Sequence, residues 1–293
     1  MRHLLPALLL LPWVAIACAP GSPPNARPLI GVAFYPIEEI VRAVGGDAVD
    51  VVTVVPPGEE AHEYEPTPKQ VTKLDRADVV FYLGGGFQPG VEQALAVLPS
   101  RVTRIDLLQQ LPLLHLGEGT DPHVWLAPGL MAEMAEQVRR ELAAILPTAA
   151  SVIARRAAAY TATLTTLDGE MAAGLAHCRS RLLVTGHEAF GYLAAAYGLR
   201  QEAIAGISPG EEPSAKALER IAALVRREGV TTVFFERGLP GDLSRTVAAE
   251  TGADTAELYT VESPSRDDLA AGADYASQMR LDLVALRAGL GCT

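Results

Sequence analysis

The chain has 293 residues, of which 49% are hydrophobic and 20% are charged, so it can bury cores of ordinary domain size and does not have the composition of a disordered protein. Its formal net charge of −11 argues against nucleic acid as a partner and against attraction to an anionic membrane surface.

The first residues have the pattern of an export signal. Arg2 and His3 precede an apolar run over residues 4–17. Residues 15–18, Ala-Ile-Ala-Cys, resemble a bacterial lipobox, which predicts a lipoprotein signal peptide over residues 1–18 and lipidation of Cys18. The alternative is a plain signal peptide with an incidental cysteine. Residues 19–27 are rich in proline and predict a tether, so we expect an exported protein, lipid-anchored on the outer face of the cytoplasmic membrane or in the periplasm.

Strand-like and helix-like patterns alternate from residue 28 onward. In the first block, the predicted strands are residues 29–34, 49–55, 79–83 and 101–107, and the predicted helices are residues 36–44, 67–76, 87–97 and 130–146. This alternation indicates βαβ units and a mainly parallel sheet. Three glycines at 84–86 follow the third strand without the lysine and serine or threonine of a phosphate loop, so we interpret them as a turn.

A long helix is predicted over residues 147–177, because its apolar residues recur at steps of three and four. At 1.5 Å per residue it would be roughly 45 Å long, which is typical of a rigid connector rather than a flexible hinge.

The second block repeats the pattern of the first, with strands at 181–185, 199–205, 231–236 and 254–258 and helices at 188–197, 213–228, 242–251 and 267–290. The predicted fold class is therefore α/β, with two lobes joined by one long rigid α-helix. Each lobe is expected to hold a mainly parallel four-stranded sheet with flanking helices. The predicted divisions are residues 28–146 for the first lobe, 147–178 for the connecting helix and 179–293 for the second lobe.

Three of the six histidines follow predicted strands or precede predicted helices. His62 lies in a loop between two prolines, His123 lies just before the helix that opens near Pro128, and His187 comes straight after a strand. Ligands of open α/β sheets bind at the carboxyl ends of strands, and imidazole is the commonest metal ligand. The pattern predicts a metal site, although the long spacings leave the convergence of the three rings open.

Two cysteines remain if Cys18 carries lipid. Disulfides persist outside the cell, so we predict that Cys178 pairs with Cys292 and pins the C-terminus to the start of the second lobe. Two separate thiols are the alternative.

In combination, several segments resemble the cluster A-I substrate-binding proteins, which are the zinc and manganese receptors of bacterial ABC importers. The matching segments are residues 57–68, 121–128, 184–192, 206–214, 233–236 and 274–280. The resemblance implies two α/β lobes, one long helix and a metal bound between the lobes.

The resemblance also implies a ligand set. His62, His123 and His187 would be metal ligands, and Asp274 would be the fourth. Asp267 and Asp268 are alternatives to Asp274, which could instead cap the last helix. Glu236 ends a strand and could either be a ligand or only position a loop by hydrogen bonding.

The implied function is an extracytoplasmic zinc receptor, monomeric, that delivers the metal to the membrane permease and ATPase of an ABC importer. A manganese or iron receptor of the same family, a zinc hydrolase with Glu188 as its base, and an adhesin are the alternatives. Three imidazoles and a carboxylate fill a zinc shell and leave no position for an activated water, which argues against an enzyme. Manganese prefers oxygen ligands, so the histidine at position 187 favours zinc.

Overall fold

The computed structural model describes residues 27–116, 119–239 and 241–293. Cys18 and the predicted signal peptide lie outside these ranges. Within them, no helix combines the length and the apolar character that a membrane crossing requires.

The first half of the chain forms an α/β unit, which we call the N-terminal lobe. Its four parallel strands are β1 (Leu29–Val32), β2 (Asp50–Thr53), β3 (Val79–Tyr82) and β4 (Thr103–Asp106), in the spatial order β2-β1-β3-β4. A small antiparallel hairpin follows, formed by β5 (His115–Leu116) and β6 (Gly119–Thr120). The helices are α1 (Tyr35–Gly45), α2 (Pro68–Leu74), α3 (Pro89–Ala96) and α4 (Pro128–Ile145).

The long helix α5 (Ala150–Leu175) separates the two halves of the chain. It has 26 residues, or about 39 Å at 1.5 Å per residue, and it begins later than predicted because Pro147–Ala149 form a single 3₁₀ turn. Its fully buried residues follow the predicted steps of three and four, and the helix packs against α1 and α4. The expected long connecting helix is thus present.

The second half of the chain forms the C-terminal lobe. Its parallel strands are β7 (Leu182–Thr185), β8 (Arg200–Ala203), β9 (Thr232–Glu236) and β10 (Asp254–Leu258), in the spatial order β10-β9-β7-β8. Its helices are α6 (Gly191–Ala196), α7 (Ala215–Glu228), α8 (Asp242–Thr251), α9 (Arg266–Ala270) and α10 (Tyr275–Leu290). Numbered within each lobe, both sheets have the order 2-1-3-4, so the predicted fold class is confirmed.

The final helical region differs from the prediction. Residues 267–290 were expected to be one helix, but the chain breaks between α9 and α10. Gly272 has φ +86°, a left-handed conformation that glycine adopts without a steric penalty and that ends the short helix.

One buried apolar core continues from the N-terminal lobe through α5 into the C-terminal lobe. It includes Phe34 and Trp125 from the first lobe, Leu167 from α5, and Phe190 and Met279 from the second. A smaller core lies wholly within the C-terminal lobe. Because apolar packing spans the junction of the lobes, a large relative rotation would expose buried surface to water and is disfavoured.

A disulfide joins Cys178, just after α5, to Cys292, just after α10. Backbone hydrogen bonds support the junction, since the N–H of Arg179 donates to the carbonyl of Gly291. The predicted pairing is confirmed.

Candidate metal centre

His62 lies in the loop between β2 and α2. The carboxylate of Glu60 accepts hydrogen bonds from the backbone N–H groups of His62 and Glu63, both at 2.8 Å, and so holds the turn that presents the ring. The edge of the Phe87 ring packs against the imidazole, with the ring centroids 4.7 Å apart. The His62 side chain is 5% exposed, which is unusual for a loop histidine and indicates that it faces inward.

His123 follows the β5–β6 hairpin and is fully buried. The Oδ1 atom of Asp121 accepts hydrogen bonds from both the backbone N–H and the ring Nδ1 of His123, at 2.9 and 2.8 Å. The backbone carbonyl of Asp121 accepts from the hydroxyl of Tyr192 on α6, at 2.8 Å. With Nδ1 engaged by a carboxylate, the lone pair of His123 is on Nε2. Such a carboxylate–histidine pair is the usual support of a metal-binding imidazole.

His187 follows β7, beside the neighbouring strand β9. The backbone N–H of His187 donates to Oε1 of Glu236 at 3.1 Å, and Nδ1 of its ring lies 3.3 Å from the same oxygen. Its carbonyl accepts from Thr185 Oγ1 at 2.7 Å and Gln201 Nε2 at 3.0 Å. A Cβ at Gly186 would collide with the Glu236 carboxylate, so a larger residue before the histidine would displace that carboxylate. Glu236 therefore positions the loop by hydrogen bonding, which was the second of its two interpretations.

The three imidazoles converge where the lobes meet. Their ring centroids lie 5.2 Å (His62 to His123), 5.5 Å (His123 to His187) and 5.9 Å (His62 to His187) apart. The expectation that these histidines come together is thus met, although they are distant in sequence.

The carboxylate beside the histidines belongs to Glu262, in the segment that follows β10. Its Oε2 lies 3.7 Å from Nε2 of His62, and its Oε1 lies 3.9 Å from Nε2 of His123. One potential ligand atom from each of the four residues lies within 4.8 Å of the other three. A tetrahedral zinc ion with bonds of about 2.0–2.1 Å holds its ligand atoms roughly 3.3 Å apart, so small side-chain movements would suffice to form the site.

The placement of Asp274 corrects the sequence prediction. Asp274 is exposed, and its Oδ1 accepts a hydrogen bond from the backbone N–H of Ser277 at 2.7 Å, which makes it the N-cap of α10. The two alternatives are also outside the cluster. Asp267 is exposed, and Asp268 accepts a hydrogen bond from the backbone of Ser265, the N-cap of α9, and pairs with Arg237. Glu262 was missed although it shares the feature that singled out the histidines, since it closely follows a predicted strand.

Burial and neighbouring charges set the protonation of the cluster. Burial lowers the pKa of His123 well below its usual value, so this ring is neutral at physiological pH. Burial would raise the pKa of Glu262, but the three nearby imidazoles outweigh it and lower the pKa to about 2. Burial raises the pKa of Asp121 to about 7, although the His123 backbone N–H opposes the rise. A neutral imidazole and an ionised carboxylate are the forms that bind a metal.

Three polar atoms of the cluster lack hydrogen-bond partners among the residues that the structure describes. They are Nδ1 and Nε2 of His187 and Oε1 of Glu262, all buried. Buried polar atoms are normally paired, and unpaired ones carry a free-energy cost. The donor set and its unpaired atoms both fit a bound cation.

Comparisons with known proteins give a family match over most of the chain. The model of the ZnuA family, described as zinc-uptake complex component A, periplasmic, matches residues 30–289.

Among individual relatives, the zinc-binding lipoprotein AdcA of Streptococcus pneumoniae (strain ATCC BAA-255 / R6) is 34% identical over 93% of this chain and 58% of its own length. The chain therefore spans little more than half of that relative. The high-affinity zinc uptake system protein ZnuA of Bacillus subtilis (strain 168) is 31% identical over 88% of this chain and 86% of its own. The crystal structure of the Zn(II)-bound ZnuA-like domain of the S. pneumoniae AdcA superposes with a TM-score of 0.80, at 36% identity, over 90% of this chain and 99% of that domain.

Proposed function

The chain belongs to the ZnuA family of zinc-uptake components, and on that premise we propose that it is an extracytoplasmic receptor that binds one zinc ion between its lobes and delivers it to an ABC importer. The observation that carries this proposal is the convergence of His62, His123, His187 and Glu262 in a buried cluster. This donor set replaces the one expected from the sequence, with Glu262 in the place of Asp274.

The donor set suits a transported ion better than a catalytic one. Four protein donors complete the tetrahedral shell of zinc, whereas catalytic zinc keeps a position open for water. Glu188, the base that a hydrolase would need, is not a member of the cluster, and its backbone N–H donates to the carbonyl of Gly206. The function that we propose is therefore metal binding and not catalysis.

The donor types favour zinc over manganese. Three of the four donors are imidazole nitrogens, which suit zinc, whereas manganese prefers carboxylates, carbonyls and water at higher coordination number. A manganese or iron receptor remains the second candidate within the family.

Two cavities support access of a cation to this buried cluster. One, of about 400 Å³, is lined by His62 and Glu63, and the other, of about 390 Å³, by His187 and Glu236. Glu211 lines both, so acidic side chains accompany each route. Negative potential along such clefts raises the local concentration of cations.

The proposed partners are the membrane permease and the ATPase of a metal importer. We also propose that Cys18 is lipidated and tethers a monomeric receptor to the membrane, in line with the lipobox-like residues 15–18. The full set of acyl chains would be needed, because one chain alone holds a protein only weakly.

Metal analysis of protein purified without added metal tests the function. We expect one zinc per chain, no hydrolytic activity, and loss of the zinc in His123→Ala. The matched control is His177→Ala, which removes an exposed histidine and should leave the zinc content unchanged. Stoichiometric manganese or iron in the purified protein, or zinc retained by His123→Ala, would overturn the proposal.

A further inference from the structure

The backbone just before Glu262 is strained. Val261 has φ +57°, and it is the one non-glycine residue with a positive φ in the described part of the chain. A β-branched residue in this left-handed conformation is a genuine outlier, and such strain persists only where surrounding contacts over-determine the backbone. Val261 is also buried, at 3% exposure, so its neighbours hold it firmly.

One of these contacts comes from the loop that carries His123. Trp125, two residues after that histidine, is fully buried, and its indole N–H donates to the carbonyl of Thr260 at 2.7 Å. The indole also packs on the imidazole, with the ring centroids of His123 and Trp125 5.2 Å apart. The residue on the amino side of Val261 is therefore attached to the N-terminal lobe.

A second contact comes from the loop that carries His62. The Oγ atom of Ser263 accepts a hydrogen bond from the backbone N–H of Gly58 at 2.9 Å and donates to the carbonyl of Pro56 at 3.1 Å. The residue on the carboxyl side of Glu262 is therefore also attached to the N-terminal lobe, although Glu262 follows a strand of the C-terminal sheet.

His187 is held differently. Among the described residues, its backbone forms hydrogen bonds with Glu236, Thr185 and Gln201, all of the C-terminal lobe. The C-terminal lobe contacts the Glu262 segment three residues earlier in the chain. There Asp282 of α10 accepts a hydrogen bond from the backbone N–H of Tyr259 at 2.7 Å.

We propose that Trp125 and Ser263 are positioning residues that attach Glu262 to the two histidine loops of the N-terminal lobe. His62, His123 and Glu262 then form a three-donor half-site on one lobe, and His187 is the donor that closes the shell from the other. This inference rests on the proposed zinc function and adds to it which lobe positions each ligand.

A double-mutant cycle tests the proposal. Trp125→Phe keeps an aromatic ring but removes the N–H, and Ser263→Ala removes a half-buried hydroxyl without opening the core. Trp125→Phe should weaken zinc binding about two- to tenfold, the range expected for one hydrogen bond, and Ser263→Ala, which removes two hydrogen bonds, should weaken it at least as much. In a Glu262→Gln background, measured by competition with a chelator, neither should weaken binding further, because the carboxylate that they position is gone.

The matched control is Tyr275→Phe. It removes a buried hydrogen bond of the same region, from the Tyr275 hydroxyl to the carbonyl of Trp125 at 2.6 Å, without touching the Glu262 segment. Its effect on zinc affinity should be the same with and without Glu262. If the effects of Trp125→Phe and Ser263→Ala are equally independent of Glu262, both residues are merely structural and the inference is wrong.

Hydrogen exchange of the metal-free protein gives a second readout. Trp125→Phe should speed amide exchange in residues 259–263 while the strands of both sheets stay protected. Unchanged exchange in that segment would contradict the positioning role even if zinc binds normally. If the wild type binds no zinc, both the proposed function and the half-site are wrong. If zinc binds but the mutant effects are additive, only the positioning role is wrong.

Discussion

Nε2 of His62 and Nε2 of His123 lie 3.3 Å apart, although the two residues are 61 positions apart in the chain. This separation matches the roughly 3.3 Å between ligand atoms of tetrahedral zinc. Since Asp121 engages Nδ1 of His123, the lone pair of that ring is on Nε2, where it can accept a hydrogen bond from Nε2 of His62. Both nitrogens are also close enough to be ligands of one metal ion.

The proposal that Glu262, and not Asp274, is the fourth ligand can be tested directly. Glu262→Ala should weaken zinc binding by roughly 100-fold or more, since even supporting residues of metal sites contribute 10- to 100-fold. Asp274→Ala should leave zinc affinity unchanged and instead lower the free energy of unfolding by about 0.5–2 kcal/mol, through loss of the α10 cap. Calorimetric zinc titration and denaturant unfolding of both variants separate the two roles. The reverse result would restore Asp274 as the ligand.

Removal of the charge that supports His123 should weaken the site without removing a ligand. We expect Asp121→Asn to reduce zinc affinity by roughly 10- to 100-fold, because the ring loses the carboxylate that fixes its orientation and raises its basicity. The control is Asp267→Asn, an exposed change of the same type. Equal affinities of Asp121→Asn and wild type would show that the carboxylate is dispensable.

Selectivity for zinc should depend on the donor at position 187. His187→Glu exchanges a nitrogen for an oxygen donor and should lower the ratio of zinc affinity to manganese affinity. Because Oε1 of Glu236 lies 3.3 Å from the His187 ring, the new carboxylate would meet a like charge. The double variant with Glu236→Gln relieves that repulsion, and His177→Glu serves as the surface control. Calorimetry with both metals decides, and a wild type that binds manganese as tightly as zinc would contradict the assignment.

Zinc affinity should fall on acidification. Burial would lower the pKa of His187, but the nearby carboxylate of Glu236, together with those of Glu262 and Glu60, outweighs it and raises the pKa. Above this raised pKa the His187 ring is neutral, so zinc binds without displacing a proton from it. Below it, zinc must displace a proton, so affinity falls by up to about tenfold per pH unit for this group.

His187→Ala tests the source of that pH dependence. It should bind zinc more weakly but with a shallower dependence on pH, because one displaceable proton is gone. Competition titrations between about pH 8 and about pH 5 measure both slopes. Identical slopes would assign the dependence to other groups.

The disulfide should stabilise the fold without affecting the metal. Cys178 and Cys292 are 114 residues apart, and opening so long a loop should cost about 4 kcal/mol. Reduction of the wild type should therefore lower Tm, while the Cys178→Ser/Cys292→Ser variant should have a lower Tm that no longer responds to reductant. Zinc affinity should stay unchanged in both, and a large loss of affinity on reduction would show that the bridge also shapes the site.

Local patterns in the sequence predicted most of the fold. Strands rich in β-branched residues alternate with amphipathic helices, and these periodicities report burial directly, so the two sheets and the long helix could be inferred. The boundaries were less certain, and Gly272 divides what had been predicted as one final helix.

The sequence by itself also predicted three of the four donors of the proposed site, because parallel strands bring the loops at their carboxyl ends to one edge and the histidines lie near such an edge. The fourth depended on the tertiary structure. Glu262 lies beside the histidines just after the left-handed residue Val261, in a segment that accepts a hydrogen bond from Trp125 at Thr260, 135 positions away in the chain. No local pattern encodes a contact between lobes, since it exists only once both have folded and packed against each other.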